Sequence, residues 1–289
     1  MPAVSDHSVE LETPFGAHGT PSGAPTGQPV FWRSAPAPDG AAEEAVTLYL
    51  HGVPGNCDEW SPFLERGGGL AVDLPGFGRS GKPAFLRYTI DEYDSFIERF
   101  LDAIEVRRVK LVVHDWGAVG LAFAQRLPER VERLTIVNAV PLLPGYRWHR
   151  TARIWRTPGL GELAMGTTND FTLRVLTRES NVTPGPMPEA WRASVLEHFD
   201  QGTQRAILRL YRSSPPEVLA AAGERLGRLD VPALVVWGMR DPYIPARFGR
   251  EYAHALAHAE LVELPDAGHW PWLDRPELIQ RIVDFQTAG

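Results

Sequence analysis

Apolar residues recur along the chain in short unbroken runs, and this pattern predicts the fold class. The runs are rich in Val, Ile and Leu and are too short for most helices, so each predicts a strand buried on both faces. They lie at 45–50, 69–78, 109–115, 133–140, 231–238 and 259–264, with a shorter run at 30–33.

Helical patterns alternate with these predicted strands. Over 89–104 the apolar residues fall on one face at 3.6-residue spacing, and Thr89 followed by Glu92 matches a capping box. A second helix is predicted from Gly117 through Arg126 and is closed by Pro128, and a terminal helix runs over 276–285. Apolar strands separated by helices imply a mostly parallel central sheet flanked by helices, which is the α/β class.

The segment 141–227 breaks this alternation. It is rich in proline, has helical stretches and contains no convincing strand. We therefore expect a helical cap inserted between two core strands. This divides the chain into a first core part at 1–140, the cap at 141–227 and a second core part at 228–289. The length of 289 residues suits one large core with such an insertion better than two independent domains.

Composition and charge narrow the classes of function. Hydrophobic residues make up 44% of the chain and charged residues 22%, as in ordinary globular proteins. The net charge of −7 and the lack of a dense basic run argue against nucleic acid as a partner. The single cysteine, Cys57, excludes an intramolecular disulfide. Because the sequence has no run of about 18 apolar residues and no signal-like N-terminal stretch, we expect no membrane span and a cytoplasmic location.

The end of the run at 109–115 carries the clearest candidate chemistry. In VVHDWGAVG, Asp115 stands at the apex of a predicted strand–turn–helix, where the G-x-S-x-G elbow exposes a serine nucleophile above the sheet. The first glycine of that motif is Val113 here, whereas Gly117 keeps the second. A carboxylate in this position can displace a leaving group from an sp³ carbon and form an ester with the enzyme.

HDWGA at 114–118 resembles the nucleophile elbow of epoxide hydrolases and haloalkane dehalogenases, the aspartate-using branch of the α/β-hydrolase fold. The resemblance covers almost the whole chain, because further motifs follow in family order. These are HGVPG at 51–55, DLPGFGRSGKP at 73–83, GMRDPYIP at 238–245 and DAGHWPW at 266–272. The resemblance implies that HGVPG is the oxyanion loop and that the last two motifs are the acid and histidine loops.

His269 is the candidate general base that hydrolyses the ester, because an imidazole with an ordinary pKa of about 6.5 can accept a proton near neutral pH. Asp241 is the candidate acid that orients this imidazole, which completes the chain order nucleophile, acid, histidine. Glu263 and Asp266 are rival acids, but they lie on the histidine's own strand or loop. Some haloalkane dehalogenases carry the acid after the preceding core strand, which ends here at Asn138.

Two backbone N–H groups form the candidate oxyanion hole for the tetrahedral intermediate. One belongs to Trp116, directly after the nucleophile, and the other to Val53 in the oxyanion loop. Such a donor contributes about 3 kcal/mol to catalysis. The resemblance suggests a cis peptide at Val53–Pro54, and we expect His51 and His114 to support the loop and the elbow through hydrogen bonds.

The leaving group separates two enzymatic functions. In epoxide hydrolases, paired cap tyrosines donate to the epoxide oxygen, and Tyr211 lies in a Tyr-Arg pair that resembles the end of that cap. Tyr146 is the other cap tyrosine, and Trp148 or His149 is the alternative for its place. The candidate substrate-binding side chains are Trp116, Trp148 and His149.

A haloalkane dehalogenase instead holds a departing halide with N–H donors, commonly the Trp after the nucleophile together with an Asn or a second Trp. Trp116 suits both functions, but Val53 stands where many dehalogenases have the Asn. The residues therefore favour hydrolysis of an epoxide to a vicinal diol. Haloalkane dehalogenation is the alternative, and a non-catalytic small-molecule binding protein of the same fold is the second alternative.

The expected partners follow from this mechanism. A small apolar epoxide or halogenated compound and water are sufficient reactants, and we expect no metal and no cofactor. The sequence does not indicate an oligomeric state.

Overall fold

Eight strands lie side by side in one sheet in the part of the chain that the computed structural model describes, which is residues 3–12, 27–37 and 44–288. The strands are β1 (Ser5–Glu12), β2 (Gly27–Ala35), β3 (Val46–Leu50), β4 (Gly69–Val72), β5 (Val109–Asp115), β6 (Val131–Ala139), β7 (Pro232–Gly238) and β8 (His258–Leu264). The helices are α1 (Ser61–Gly67), α2 (Ile90–Ala103), α3 (Gly120–Arg126), α4 (Arg150–Arg156), α5 (Leu160–Gly166), α6 (Asp170–Leu176), α7 (Glu189–Glu197), α8 (Gln201–Ser213), α9 (Pro216–Ala222), α10 (Arg247–Ala255), α11 (Pro271–Asp274) and α12 (Glu277–Thr287).

The sheet has the order β1-β2-β4-β3-β5-β6-β7-β8. The pairs β1–β2 and β2–β4 are antiparallel, and all the other neighbours are parallel. The predicted α/β class with a mostly parallel sheet is confirmed. The edge strand β1 was not predicted, because most of its side chains are exposed and its sequence has no apolar run.

Two hydrophobic cores cover the two faces of the sheet. Successive residues of β5 alternate between them, since Leu111 and Val113 belong to one core and Val112 to the other. The first core includes the apolar face of α2, and the second includes residues of α1 and α12. The predicted capping box begins α2: Oγ1 of Thr89 accepts from the N–H of Glu92, whose carboxylate accepts from the N–H of Thr89.

The chain between β6 and β7 forms the six helices α4–α9 and, in this described stretch, no strand. An ion pair between Arg212 of α8 and Glu162 of α5 holds two of these helices together. The residues after β3, β5, β7 and β8 lie at one edge of the sheet, because parallel strands end on the same side. None of the helices in the described ranges is long and apolar enough to cross a membrane.

Candidate active site

Asp115 ends the central strand in a backbone conformation that few residues adopt. Its φ angle is +48°, a region that costs a non-glycine residue of order 1–3 kcal/mol. Two glycines provide room for this turn. A Cβ atom at Gly52 would lie 2.6 Å from Cβ of Asp115, and one at Gly117 would lie 2.2 Å from the carbonyl oxygen of Leu50. The strained turn at Asp115 therefore requires glycine at positions 52 and 117, because a side chain at either position would clash with the neighbouring atoms.

The carboxylate of Asp115 is buried and has a partner on each oxygen. Its Oδ1 atom accepts a hydrogen bond of 2.8 Å from the N–H of Val53, and its Oδ2 atom lies 3.5 Å from Nε2 of His269. Burial by itself would raise the pKa of Asp115, but the hydrogen bond and positive charge of His269 outweigh it and hold the pKa below its usual value. The group is therefore ionised near neutral pH.

Asp241 holds the imidazole of His269 from the opposite side. Nδ1 of His269 lies 2.7 Å from Oδ2 of Asp241, while Oδ1 of Asp241 accepts from the N–H groups of Tyr243 at 2.7 Å and Ile244 at 3.0 Å. Although burial lowers the pKa of His269, the charges and hydrogen bonds of Asp241 and Asp115 raise it to about 10. The imidazole of His269 is therefore doubly protonated and positively charged near neutral pH, while the carboxylate of Asp115 is ionised.

The structure separates Asp241 from its rivals. Glu263 pairs with Arg250 and Asp266 with Arg275, both at the surface. Asn138, at the end of β6, donates from Nδ2 to Oδ2 of Asp241 at 2.8 Å and is an orienting residue that sequence reasoning did not assign. Its φ angle of +37° is one that asparagine tolerates better than most residues.

A cavity of about 80 Å³ lies between Asp115 and the cap. Its cap side is mostly apolar, with Trp155, Leu173, Leu176 and Trp191 among the lining residues. The polar lining residues of the cap include His149 and Tyr211, which sequence reasoning named. Tyr243 also lines the cavity, with its ring 5.0 Å from that of His269; its place directly after the acid-loop motif Asp-Pro was the available signal.

Tyr211 lies over Trp116, the residue that follows Asp115. Its ring meets that of Trp116 edge-on, with centroids 5.1 Å apart. Burial raises the pKa of Tyr211 well above its usual value, and the negative charge of Asp115 adds to this rise. The nearby Trp116 indole counters part of it, but the N–H of that indole makes no hydrogen bond of normal geometry to any described residue. The hydroxyl of Tyr211 is therefore protonated and can donate a hydrogen bond. The indole N–H of Trp116 can also donate one.

His149 caps α4, and this contact fixes its tautomer. Nδ1 accepts from the N–H of Ala152 at 3.4 Å. Burial lowers the pKa of His149 to about 4, so the ring is neutral near pH 7. With Nδ1 acting as the acceptor, the single proton must lie on Nε2. His149 is therefore an N–H donor in the cap wall.

Two cap residues named from the sequence do not line the cavity. The hydroxyl of Tyr146 donates to the carbonyl oxygen of Tyr243 at 3.4 Å, and the indole N–H of Trp148 donates to that of Ser214 at 3.0 Å. The structure therefore does not place Tyr146, the expected first cap donor, in the cavity wall, whereas His149, the alternative for that place, lines it. Trp148 instead stacks on Trp116, with centroids 5.4 Å apart, and so supports the site from behind.

The two backbone N–H groups of the expected oxyanion hole belong to the loop after β3 and to the turn after β5. The N–H of Val53 already contacts Asp115, and the peptide bond Val53–Pro54 is cis, as the resemblance suggested. Trp116 begins a short 3₁₀ helix, Trp116–Val119, and the first N–H groups of a helix have no partner within it. His51 accepts from the N–H of Leu74 at Nε2, which anchors the loop.

The sheet with helices on both faces and an acidic residue on the tight turn after β5 define an α/β hydrolase with aspartate at its elbow. A family model described as the alpha/beta hydrolase fold matches residues 47–276. The chain belongs to this family.

The chain is also similar to proteins named haloalkane dehalogenase. The one from Mesorhizobium japonicum is 28% identical over 276 residues, which cover 85% of each chain. The one from Agrobacterium fabrum is 34% identical over 261 residues, covering 83% of this chain and 84% of the relative. Among solved structures, haloalkane dehalogenase DbeA from Bradyrhizobium elkani has a TM-score of 0.78 at 25% identity, covering 97% of this chain and 96% of that one.

Proposed function

We propose that the protein is a hydrolase that cleaves the carbon–halogen bond of small haloalkanes through a covalent ester on Asp115. The observation that carries this proposal is the buried indole N–H of Trp116, the residue after the ionised Asp115. This N–H has no hydrogen-bond partner of normal geometry among the described residues, and its ring contacts Tyr211 in the cavity wall. The names of the relatives favour the same chemistry over the epoxide hydrolysis that the cap motif favoured.

In the first step, an oxygen of Asp115 attacks the sp³ carbon that bears the halogen. The new carbon–oxygen bond forms as the carbon–halogen bond breaks, and the halide leaves with the bonding electron pair. Oδ1 is already engaged by the N–H of Val53, so Oδ2 is the attacking atom. The small apolar cavity desolvates the carboxylate and holds the substrate against it.

The halide requires donors where negative charge develops. Trp116 offers its indole N–H, which lacks a partner among the described residues. Val53 has no side-chain donor, so we look for the second donor in the cap. The cap offers the Tyr211 hydroxyl, the Nε2–H of His149 and the indole N–H of Trp191, which lines the cavity and has no partner among the described residues. We assign the halide contacts to Trp116 and Tyr211, because these two side chains are in contact.

The second step is the hydrolysis of the ester. Esterification removes the charge of Asp115, and the pKa of His269 falls because that charge and its hydrogen bond helped to raise it. His269 can then release one proton to solvent and accept one from water, whose oxygen attacks the carbonyl carbon of Asp115. The oxyanion forms on Oδ1, next to the N–H of Val53. The intermediate collapses as His269 protonates the departing alcohol oxygen, which leaves Asp115 as a carboxylic acid. The neutral His269 then takes up the acid proton, and Asp115 regains its charge.

A paired substrate screen tests this proposal. The protein would be incubated with bromoalkanes of two to six carbons and with epoxides of matched size, and bromide, alcohol and diol would be measured together. Equal amounts of bromide and alcohol are expected from the wild type and none from Asp115→Asn. Bromide formation by Asp115→Asn at the wild-type rate would contradict the proposal.

Epoxide hydrolysis is the second candidate, because Tyr211 is a protonated phenol in the cavity wall and can donate to an alkoxide. Diol formation without halide release in the same screen would support it. A binding protein without turnover would form neither product and would show no covalent adduct.

A further inference from the structure

A buried carboxylate that the proposed reaction does not use lies beside the catalytic loops. Glu59 belongs to the 3₁₀ helix Cys57–Trp60, and its side chain is 2% exposed. Its Oε1 atom accepts a hydrogen bond of 3.2 Å from the N–H of Gly52, and its Oε2 atom accepts one of 3.5 Å from the indole N–H of Trp270. One side chain thus links the residue before Val53 to the residue after His269.

The third neighbour of this carboxylate is His114, next to the nucleophile. Nδ1 of His114 lies 3.6 Å from Oε1 of Glu59 and has no hydrogen-bond partner among the described residues. Nε2 lies 2.9 Å from the carbonyl oxygen of His269. A carbonyl oxygen only accepts, so Nε2 carries a proton. In a neutral His114, the lone pair of Nδ1 would then face a carboxylate oxygen.

The contact between Nδ1 of His114 and Oε1 of Glu59 has the geometry of an ion pair. Both oxygens of Glu59 accept N–H bonds, as an ionised carboxylate does. An isolated buried carboxylate is costly unless a cation pairs with it. The rings of Trp60, Trp270 and Trp272 surround the imidazole. The ring of His269 lies 4.8 Å away, and the carboxylates of Asp115 and Asp241 on either side of His269 oppose its positive charge.

We propose that Glu59 is a positioning residue for the catalytic loops, and that it acts as the anion of a buried ion pair with doubly protonated His114. The pair holds the oxyanion loop through Gly52, the elbow through His114 and the histidine loop through Trp270. The fit is close, since a Cβ atom at Gly55 would lie 2.8 Å from Oε2 of Glu59.

The pair should affect turnover more than substrate binding. Releasing Gly52 shifts the adjacent N–H of Val53, which holds Oδ1 of Asp115 before the reaction and faces the oxyanion that forms on the same atom during ester hydrolysis. This consequence rests on the proposed function, because it assumes the ester on Asp115. The protonation state of His114 does not depend on any substrate.

Nitrogen-15 NMR of protein labelled at histidine tests the ion pair without an activity assay. A His114→Gln variant identifies the His114 signals. We expect both ring nitrogens of His114 to be protonated near neutral pH in the wild type. In Glu59→Gln, Nδ1 should lose its proton and accept from the new amide. A wild-type His114 with one bare nitrogen would overturn the ion pair.

Kinetics with chemical rescue test the positioning role. Glu59→Ala should lower kcat about tenfold or more with KM within about twofold, and formate should restore part of the loss. Formate has a route, because Glu59 lines a second cavity of about 320 Å³. Glu92→Ala is the matched control: this buried glutamate caps α2, so its loss should lower stability, leave kcat unchanged and show no rescue.

Two results would overturn the positioning role: a wild-type kcat in folded Glu59→Ala, or a loss that formate leaves unchanged. Glu59→Gln keeps the shape of the side chain and removes its charge. Its kcat provides the same test if Glu59→Ala does not fold. If the wild type turns over none of the screened substrates, the proposed function fails while the NMR result still decides on the ion pair.

Discussion

The side-chain amide of Asn138 donates to the same oxygen atom of Asp241 that contacts His269. The two distances to Oδ2 are 2.8 Å from Nδ2 of Asn138 and 2.7 Å from Nδ1 of His269. A neutral donor at the end of β6 stabilises the charge of Asp241, whereas a carboxylate there would repel it. Asn138 at the end of β6 thereby holds the carboxylate of Asp241 in place and adds no second negative charge next to His269.

Substitution of Asn138 separates this hydrogen bond from the backbone conformation. Asn138→Gly keeps the φ angle of +37° accessible but loses the amide, whereas Asn138→Ala loses both. We expect each variant to lower the unfolding free energy by about 1–3 kcal/mol for the lost partner of a buried charge, with Asn138→Ala the less stable. Chemical denaturation measures this, and equal stability of both variants and the wild type would contradict it.

Trp116→Phe tests the proposed halide donor. The variant removes an indole N–H that has no partner among the described residues, so bromide binding should weaken about tenfold for the loss of one hydrogen bond to a charged group. Isothermal titration with sodium bromide measures the affinity. Trp237→Phe is the matched control, since Trp237 is also buried with an unpartnered N–H but lies within β7. A similar loss of bromide affinity in both variants would contradict a direct contact between Trp116 and the halide.

Tyr211→Phe removes the cap hydroxyl and should lower formation of the alkyl ester several-fold or more, because a donor to the leaving group is lost. Rapid-quench measurement of the first turnover isolates this step. Tyr252→Phe serves for comparison: its hydroxyl bonds to the backbone at Val140 and Leu142, so its loss should reduce stability instead. An unchanged first turnover in Tyr211→Phe would make Tyr211 a packing residue.

Ester hydrolysis should depend on pH through His269. The base must be neutral, so the rate should rise with pH and level off above the pKa of His269 in the ester. That pKa should lie below the value of about 10 in the free enzyme, because the ester lacks the negative charge of Asp115. Single-turnover decay of the ester and an NMR titration of free His269 give the two values. A decay rate that does not change with pH would exclude His269 as the base.

Local pattern was sufficient to predict the strands β3–β8, the helix α2 with its capping box, and the order Asp115, Asp241, His269. Local sequence pattern was insufficient for features that depend on contacts between residues far apart in the sequence. The strand β1 alternates apolar and polar residues only over Val9–Glu12, which is too short a pattern to predict a strand, and it is held by pairing to β2. The choice of His149 over Tyr146 depends on how the cap folds over the sheet.

The supporting residues show the same limit. Asn138 and Glu59 reach the catalytic groups across 103 and 211 residues of sequence, to Asp241 and Trp270 respectively. No motif spacing encodes such contacts, since they depend on which strands and loops the sheet brings together. The asparagine at the end of a predicted strand was a signal for Asn138, whereas the sequence NCDEWSP around Glu59 carries no motif that marks it.

Mass spectrometry of His269→Gln after reaction with a bromoalkane tests the covalent ester on Asp115 most directly. The account predicts that the peptide containing Asp115 gains the mass of the alkyl group and loses one hydrogen, with one bromide released per protein. The double variant Asp115→Asn, His269→Gln should gain nothing. Bromide release by the wild type without any adduct in His269→Gln, or an adduct on another residue, would contradict the account.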